Sequence, residues 1–270
     1  MTDMIALIDG DIVAFRCAAS CQTTGVLATD PTSKETVVLP VEIGYARVNE
    51  MMDSILQEVG TREYKVFLTD SDGNFRKTVS PDYKANRKDV ARPVLLPQLN
   101  EFLIQSWGAV RAVGEEADDL LGIQQTALYE QAKPPFGLAA VKEQGDHCPS
   151  VICSIDKDLH QIPGKHYNFV KKEVSFISED EGKYFFYKQL LMGDSTDNIK
   201  GCSGIGPKKA EKLLDPAMGD EEAMMQVVWE TYEKCFPEMC SDERDELITT
   251  VGRLVYIRKH TGELWTIPQF

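Results

Sequence analysis

The chain has 270 residues, 43% hydrophobic and 27% charged, and no apolar run approaches the ~18 residues of a membrane helix; a soluble globular protein of one large or two modest domains is expected, with no membrane partner. Seven cysteines (Cys17, Cys21, Cys148, Cys153, Cys202, Cys235 and Cys240) and four histidines lie scattered without a CxxC pair, which suggests neither a disulfide framework nor a zinc site. The net charge of −14 argues against a nucleic-acid partner unless the carboxylates are gathered on bound cations, because phosphate repels acid.

In chain order, MTDMIALIDGDIVAF (1–15) carries Asp3, Asp9 and Asp11 and no leading positive charge. It reads as a strand running into Asp9 and Asp11, not as a signal peptide, and a cytoplasmic location follows as the default. TTGVLATDPTSKET (23–36) is rich in turn formers and predicts a loop. VEIGYARVNEMMDSILQEV (41–59) has helical periodicity. YKVFLTDSDG is a second strand-like run, ending in Asp70 and Asp72. From Arg76 to Arg92, RKTVSPDYKANRKDVAR holds six basic residues and two acidic ones, with Tyr83 flanked by Lys84 and Arg87. A ring among cations suits stacking on an unpaired base while the cations hold phosphate. A solvated charged loop is the plain alternative, weakened by the closeness of Asp70. LLPQLNEFLIQSWG (95–108) predicts a helix, and AVRAV (109–113) a short strand leading into GEEADDLL. KPPFGLAAVKEQGDHCPS (133–150) predicts a loop. SVICSIDKD repeats the strand-then-acid pattern with Asp156 and Asp158. After about residue 183 the strand rhythm fades into helical patterns, and the tail GRLVYIRKHTGELWTI predicts a helix, then a short strand.

Alternating strands and helices predict a parallel sheet, with a smaller helical second half. Ligands of open parallel sheets bind beyond the carboxyl ends of the strands, so four strand candidates deliver acids to one edge. Hard divalent cations take oxygen ligands, and two of them about 4 Å apart can clamp a phosphate and activate a water. The candidate ligands are Asp9, Asp70, Glu116, Asp118, Asp119, Asp156 and Asp158. Glu116 and Asp119 share a helix face, whereas Asp118 points about 100° away and suits a different ion or an outer position. For any single acid an N-cap or turn role suffices, and at Asp72 and Glu115 that reading is kept. For the set, placement after several strands argues for a site. A further pair, Asp194 and Asp197, precedes GCSGIGPKKAEKLL. There Gly204 to Gly206 reads as a hairpin and Pro207 starts a helix, whose N-terminus can hold a phosphate beside Lys208, Lys209 and Lys212.

Taken together, LIDGD (7–11), FLTDSDG (67–73), YKANR (83–87), EADDLL (116–121), SIDKDLHQI (154–162) and GDSTDNIKGCSGIGPKKA (193–210) resemble, in order, the motifs of the 5′-nuclease superfamily of flap endonucleases and 5′→3′ exonucleases. PDYKANRKDVARPV and the tail GRLVYIRKHTGELW are closest to the small phage-type 5′→3′ exonucleases. The resemblance implies an α/β, PIN-like fold over 1–182, with a mainly parallel sheet flanked by helices and an arch or clamp at about 74–100. It implies a helical DNA-binding part over 183–270 that contains a helix-hairpin-helix (H3TH) element. A first metal cluster of Asp9, Asp70, Glu116, Asp118 and Asp119 and a second of Asp156, Asp158, Asp194 and Asp197 are implied, with Asp119 and Asp156 facing both ions. Two or three Mg²⁺ or Mn²⁺ ions would follow. Tyr83, Lys84, Arg87 and Lys88 match the base of the arch, where Lys84 and Arg87 would orient and polarise the scissile phosphate. Gly204, Gly206, Lys208 and Lys209 match the hairpin that holds duplex DNA by its backbone, with a monovalent cation such as K⁺. Pro93 and Pro97 interrupt the arch, which favours an open clamp suited to duplex ends. The implied activity is metal-dependent hydrolysis of DNA from the 5′ end by a monomer, leaving 5′-phosphate and 3′-hydroxyl products. Flap endonuclease action and cleavage of RNA in RNA–DNA hybrids belong to the same class.

Two alternatives stand beside it. A haloacid-dehalogenase-like phosphatase would use Asp9 as nucleophile, Asp11 as acid and GDSTDN as its late metal motif. GDSTDN follows a helical pattern, and EADD and DKD would then have no role. A non-catalytic DNA-binding module would need lost ligands, and no acid of the set is missing. If the acids do meet, their repulsion should persist in the metal-free protein and be relieved by the ions.

Overall fold

The computed structural model describes residues 4–27, 30–70, 73–88, 90–132 and 148–270, with backbone alone at 24–27 and 30–35. Strand β1 (Ile5–Asp9) lies at the middle of a six-stranded sheet with β4 (Glu63–Leu68), β5 (Val110–Arg111), β6 (Ser150–Cys153), β7 (Gly164–Asn168) and β8 (Glu173–Ile177), in the order β5-β4-β1-β6-β7-β8. All pairings are parallel except the β7–β8 hairpin at one edge. The sheet is thus mixed and mostly parallel, and the last two strands at that side, β7 and β8, carry no sequence signal strong enough to stand out beside the acid-tipped runs.

Alternation along the central strands explains the layers. Ala6 and Ile8, Val66 and Leu68, and Val151 and Cys153 point into one buried cluster with helices α1 (Gly10–Ser20), α2 (Val41–Val59) and α4 (Leu96–Trp107). Leu7, Phe67 and Ile152 point the other way, against Ala117 and Leu121 of α5 (Ala117–Ala132). Strands buried on both faces read as continuous apolar runs, as these do. The β1–α1 turn is pressed against β4: a side chain at Gly10 would meet Phe67 O at 2.7 Å.

The expected loop 23–36 is instead a hairpin of β2 (Gln22–Leu27) and β3 (Asp30–Val38), with Gln22 opposite Val38 and Thr24 opposite Thr36. Its Thr and Val residues favour a pleated backbone, and the turn formers cluster toward its tip. Most of the expected loop 133–150 lies outside the described residues. The basic segment contains a one-turn helix α3 (Arg76–Val79) and a short 3-10 turn at Ala85–Arg87.

A second apolar cluster joins α6 (Glu179–Met192), α7 (Pro207–Leu214), α8 (Glu221–Cys235) and α9 (Ser241–Val255), and it also takes in Tyr83. A capping box at Ser178 and Glu181 starts α6, near the expected change of rhythm at about residue 183. The two-residue strands β9 (Gly193–Asp194) and β10 (Ile199–Lys200) pair antiparallel and hold the loop between them. The tail after α9 joins no sheet, contrary to the expected short strand, because several of its backbone groups bond to buried side chains. Among the described residues no helix is long and apolar enough to cross a membrane.

Candidate active site

From β1 the chain works outward through β4 to β5, then returns across the sheet to β6 on the other side of β1. The crevice at that reversal lies outside the carboxyl ends of the strands. Asp9, the last residue of β1, accepts hydrogen bonds from Ile12 N (3.1 Å), capping α1, and from Ser154 Oγ (2.7 Å), two residues from Asp156. Burial, with Asp11 and Asp156 as like-charged neighbours, pushes its carboxyl up to about 7. Asp118, in the first turn of α5, has no hydrogen bond to any described residue; burial and then Asp156 and Asp9 raise it well above the usual carboxylate range. Asp158 is pushed up to about 7 by burial, with Asp156 and Asp194 adding like charge, although Gln189 Nε2 donates to it at 3.0 Å. Asp156 accepts from Asp158 N (2.8 Å), and Asp194 from Thr196 N (2.7 Å). Among the described residues none of these carboxylates forms a salt bridge. Desolvated like charges without a counter-ion disfavour their own ionisation, and that is what raises Asp9, Asp118 and Asp158.

Beside them stands a paired group. Glu116 accepts from Lys84 Nζ (2.6 Å) and from Tyr83 OH (2.9 Å). Burial alone would raise Glu116, but Lys84 and Arg76 outweigh it and hold it below the usual range. Asp119, fully buried, takes both ends of the Arg76 fork at 2.6 and 2.8 Å and is likewise held low by Arg76 against the pull of burial. Asp197 is paired with Lys84 (3.5 Å) and Arg87, yet burial still raises it.

The YKANR segment is stitched to the loop between β9 and β10. Lys84 N donates to Asp197 O (2.9 Å), Asn86 to Ser195 O and Thr196 O (3.1 and 3.3 Å), Arg87 Nε to Thr196 O (3.2 Å) and Asn198 Nδ2 to Asp82 O (2.8 Å). Lys84 itself has φ +56°, a left-handed conformation that a residue with a side chain adopts at a cost and only where its surroundings enforce it. Lys88 is exposed. Gly204 and Gly206 are exposed on the turn before α7, anchored by buried Cys202 and Ile205, and Lys208 and Lys209 are exposed in the first turn of α7.

Three of the acids have partners that the sequence did not show. Asp119, expected to face both ions, has its oxygens bonded to Arg76, to Glu116 N (3.1 Å) and to Arg258 N (3.1 Å). It reaches back to the N-cap like the second half of a capping box, so the capping reading applies to Asp119. Glu115, assigned to capping, is buried in an ion pair with Arg258 (2.9 Å). Asp70, expected as a ligand, also braces two loops by accepting from Gly73 N (3.1 Å) and Gly114 N (2.9 Å). Asp72 lies outside the described residues. Sequence reasoning missed Arg76, Arg258, Ser154, Gln161 and Gln189, whose partners are far along the chain. It passed over Asp11, which accepts from Thr69 N (3.0 Å) and is raised by burial. The signals available were Arg76 opening the basic segment and Gln161 near the end of SIDKDLHQI.

Among the described residues no three acid, histidine or cysteine side chains converge into a ready-made cage. The donors at the crevice are all carboxylates, several of them unpaired and repelling one another. That chemistry fits a hard divalent cation that keeps much of its water and touches few protein oxygens directly.

Comparison with known proteins places this arrangement. The family described as 5′-3′ exonuclease, N-terminal resolvase-like domain, matches residues 4–188. The exonuclease of Escherichia phage T7 is 24% identical over 222 residues, covering 78% of this chain and 67% of that protein. Flap endonuclease Xni of Shewanella sp. (strain ANA-3) is 31% identical over 156 residues, 52% of this chain and 53% of that one, so the match spans about half of that relative. The solved bacteriophage T5 flap endonuclease, in a pseudo-enzyme–product complex with DNA and metal ions, superposes with a TM-score of 0.55 at 15% identity over 93% of this chain and 98% of that one; that likeness shows a shared fold. The chain belongs to the 5′-3′ exonuclease family of the 5′-nuclease superfamily.

Proposed function

We propose that the chain is a divalent-metal-dependent 5′→3′ nuclease acting on DNA as a monomer. The observation that carries this is the unpaired group of Asp9, Asp118, Asp156 and Asp158 beside the cations Lys84 and Arg87 in one crevice. Asp9, Asp118, Asp156, Asp158 and Asp194 would hold Mg²⁺ or Mn²⁺, with Glu116 and Asp197 joining as their pairing cations turn to the substrate. Bound ions would supply an activated water and offset the charge that develops on the phosphate and the departing 3′-oxygen. Lys84 and Arg87 bind and orient the scissile phosphate, and Tyr83, buried against Glu116, fixes the base of the clamp. Asp70 and Asp119 act as supports. Residues 1–182 would form the catalytic part and 183–270 the DNA-binding part, with Gly204, Gly206, Lys208 and Lys209 of a helix-hairpin-helix holding duplex backbone beside a K⁺ ion. The phosphatase reading is set aside because GDSTDN follows α6 and not a strand of the main sheet.

The test is a time course on 5′-labelled blunt duplex, flap and RNA–DNA hybrid, with Mg²⁺ and with chelator. Release of 5′-phosphorylated products that stops on chelation is expected. Mononucleotides and longer flap products at the first cut separate exonuclease from flap action. Cleavage that ignores chelation would overturn the proposal.

A further inference from the structure

The segment that leaves α9 has no sheet partner, yet its backbone is heavily used. Val255 ends the helix and Tyr256 is extended (φ −69°, ψ 129°). Successive groups serve opposite sides. Leu254 O and Tyr256 O accept from Arg76 (3.0 and 2.6 Å), whose fork holds Asp119, and Arg258 N donates to Asp119 directly (3.1 Å). The groups in between serve Gln161: its Nε2 donates to Val255 O (2.7 Å) and its Oε1 accepts from Ile257 N (3.1 Å). Gln161 Nε2 also donates to Gln189 Oε1 (2.5 Å), and Gln189 Nε2 donates to Asp158 (3.0 Å). The sense of this chain is fixed from the backbone, because Ile257 N can only donate and Val255 O only accept. Gln161 and Gln189 are 1% and 4% exposed, so each polar atom depends on these partners.

The segment is itself clamped. Arg258 bonds Glu263 O (2.8 Å) and Glu115 (2.9 Å) and covers the Phe75 ring at 3.7 Å, and Trp265 packs on Gly252. Helix α5 approaches it closely because Gly122 lacks a side chain; a Cβ there would meet Arg258 O at 2.5 Å.

We infer that residues 254–258 form a strap that sets the geometry of both acidic groups, one side through Arg76 to Asp119 and the other through Gln161 and Gln189 to Asp158. Arg76, Gln161 and Gln189 are positioning residues that act through the carboxylates. The inference rests on reading Asp158 and its unpaired neighbours as a divalent-metal site, with Asp119 as its support. Partners that orient metal-binding groups typically carry a tenfold or larger share of metal affinity.

The test is calorimetric titration of the full-length chain with Mn²⁺ alone, without nucleic acid, alongside circular dichroism. Gln161→Met keeps volume and removes the hydrogen bonds; it is expected to weaken Mn²⁺ binding about tenfold with the fold retained. In an Asp158→Asn background the same change is expected to add less than about twofold, because the glutamine acts through that carboxylate. In an Arg76→Lys background the full factor is expected, since the two supports reach different acids. A general loss of packing would lower affinity equally in both backgrounds. Gln189→Met, one step nearer Asp158, carries the same expectation and serves if Gln161→Met does not fold. Wild-type uptake of Mn²⁺ with unchanged uptake by the glutamine variants would overturn the strap alone. Absence of uptake by the wild type would overturn the metal-site reading and the strap with it.

Discussion

Two sets of carboxylates share one crevice and behave in opposite ways. Glu116 and Asp119 sit against Arg76 and Lys84 and are held below the usual range, whereas Asp9, Asp118 and Asp158 have no ion pair among the described residues and are raised. Both sets are desolvated. For these residues the difference is the counter-ion: one set has it built into the chain and the other lacks it among the described residues, while Asp197, paired and still raised by burial, lies between them. A protein therefore marks the place of an external cation by where it omits an internal one.

The comparison breaks first at the unpaired set. Asp118→Asn or Asp156→Asn should lower Mg²⁺-dependent cleavage of 5′-labelled duplex by more than about 100-fold with little change in thermal stability. Asp119→Asn should do the reverse. Halving the partner of a buried guanidinium costs about 3 kcal/mol, read as a lower unfolding midpoint, and cleavage should fall mainly as folded protein is lost. If Asp119→Asn abolished cleavage at an unchanged midpoint, the division between paired and unpaired acids would fail. Lys84→Ala should slow turnover about tenfold while shifting DNA affinity less than about threefold; an effect on affinity alone would remove Lys84 from the chemistry.

Acidity sharpens the contrast. Asp9 and Asp158 have folded values of about 7, above the ordinary 3.8. Their contribution to stability is full below about pH 4 and is lost as pH rises through 7. The metal-free melting temperature should thus fall between pH 5.5 and pH 8 on the order of a few degrees, and Mg²⁺ at pH 8 should restore it. Asp9→Asn should flatten that slope. Buried His166 works against it: its value is pushed down to about 4, so its contribution is present above the ordinary 6.5 and lost as pH falls from there toward 4. The smallest effect is expected at Tyr83→Phe, which removes a donor from Glu116 while Lys84 remains, at about 1 kcal/mol in chemical denaturation.

Much of this architecture was legible in the residues. The runs ending at Asp9 and before Asp156 show as strands because they are buried on both faces, and their acids lie where a parallel sheet exposes its carboxyl ends. The hairpin at 22–38 was not legible: its turn formers mask β-branched residues that pair across it. Within the acidic cluster, spacing along α5 assigns faces but not partners. Nothing local to EEADD says that Arg76 will claim Asp119 or that Arg258 will claim Glu115, because those cations arrive from distant segments. The repulsion among these acids is thus opposed unevenly: arginine and lysine serve some, and the rest are left facing one another.

Arg76 bonds groups that lie 178 and 180 residues further along the chain. Loops of that length close late, since the entropy of closure precedes the contacts that reward it. The sheet can form with the tail still loose, but the crevice cannot be completed until residue 258 is in place. In refolding from denaturant, docking of residues 254–258 should therefore follow formation of the sheet, and it is that docking which fixes Arg76 and Asp119 against each other.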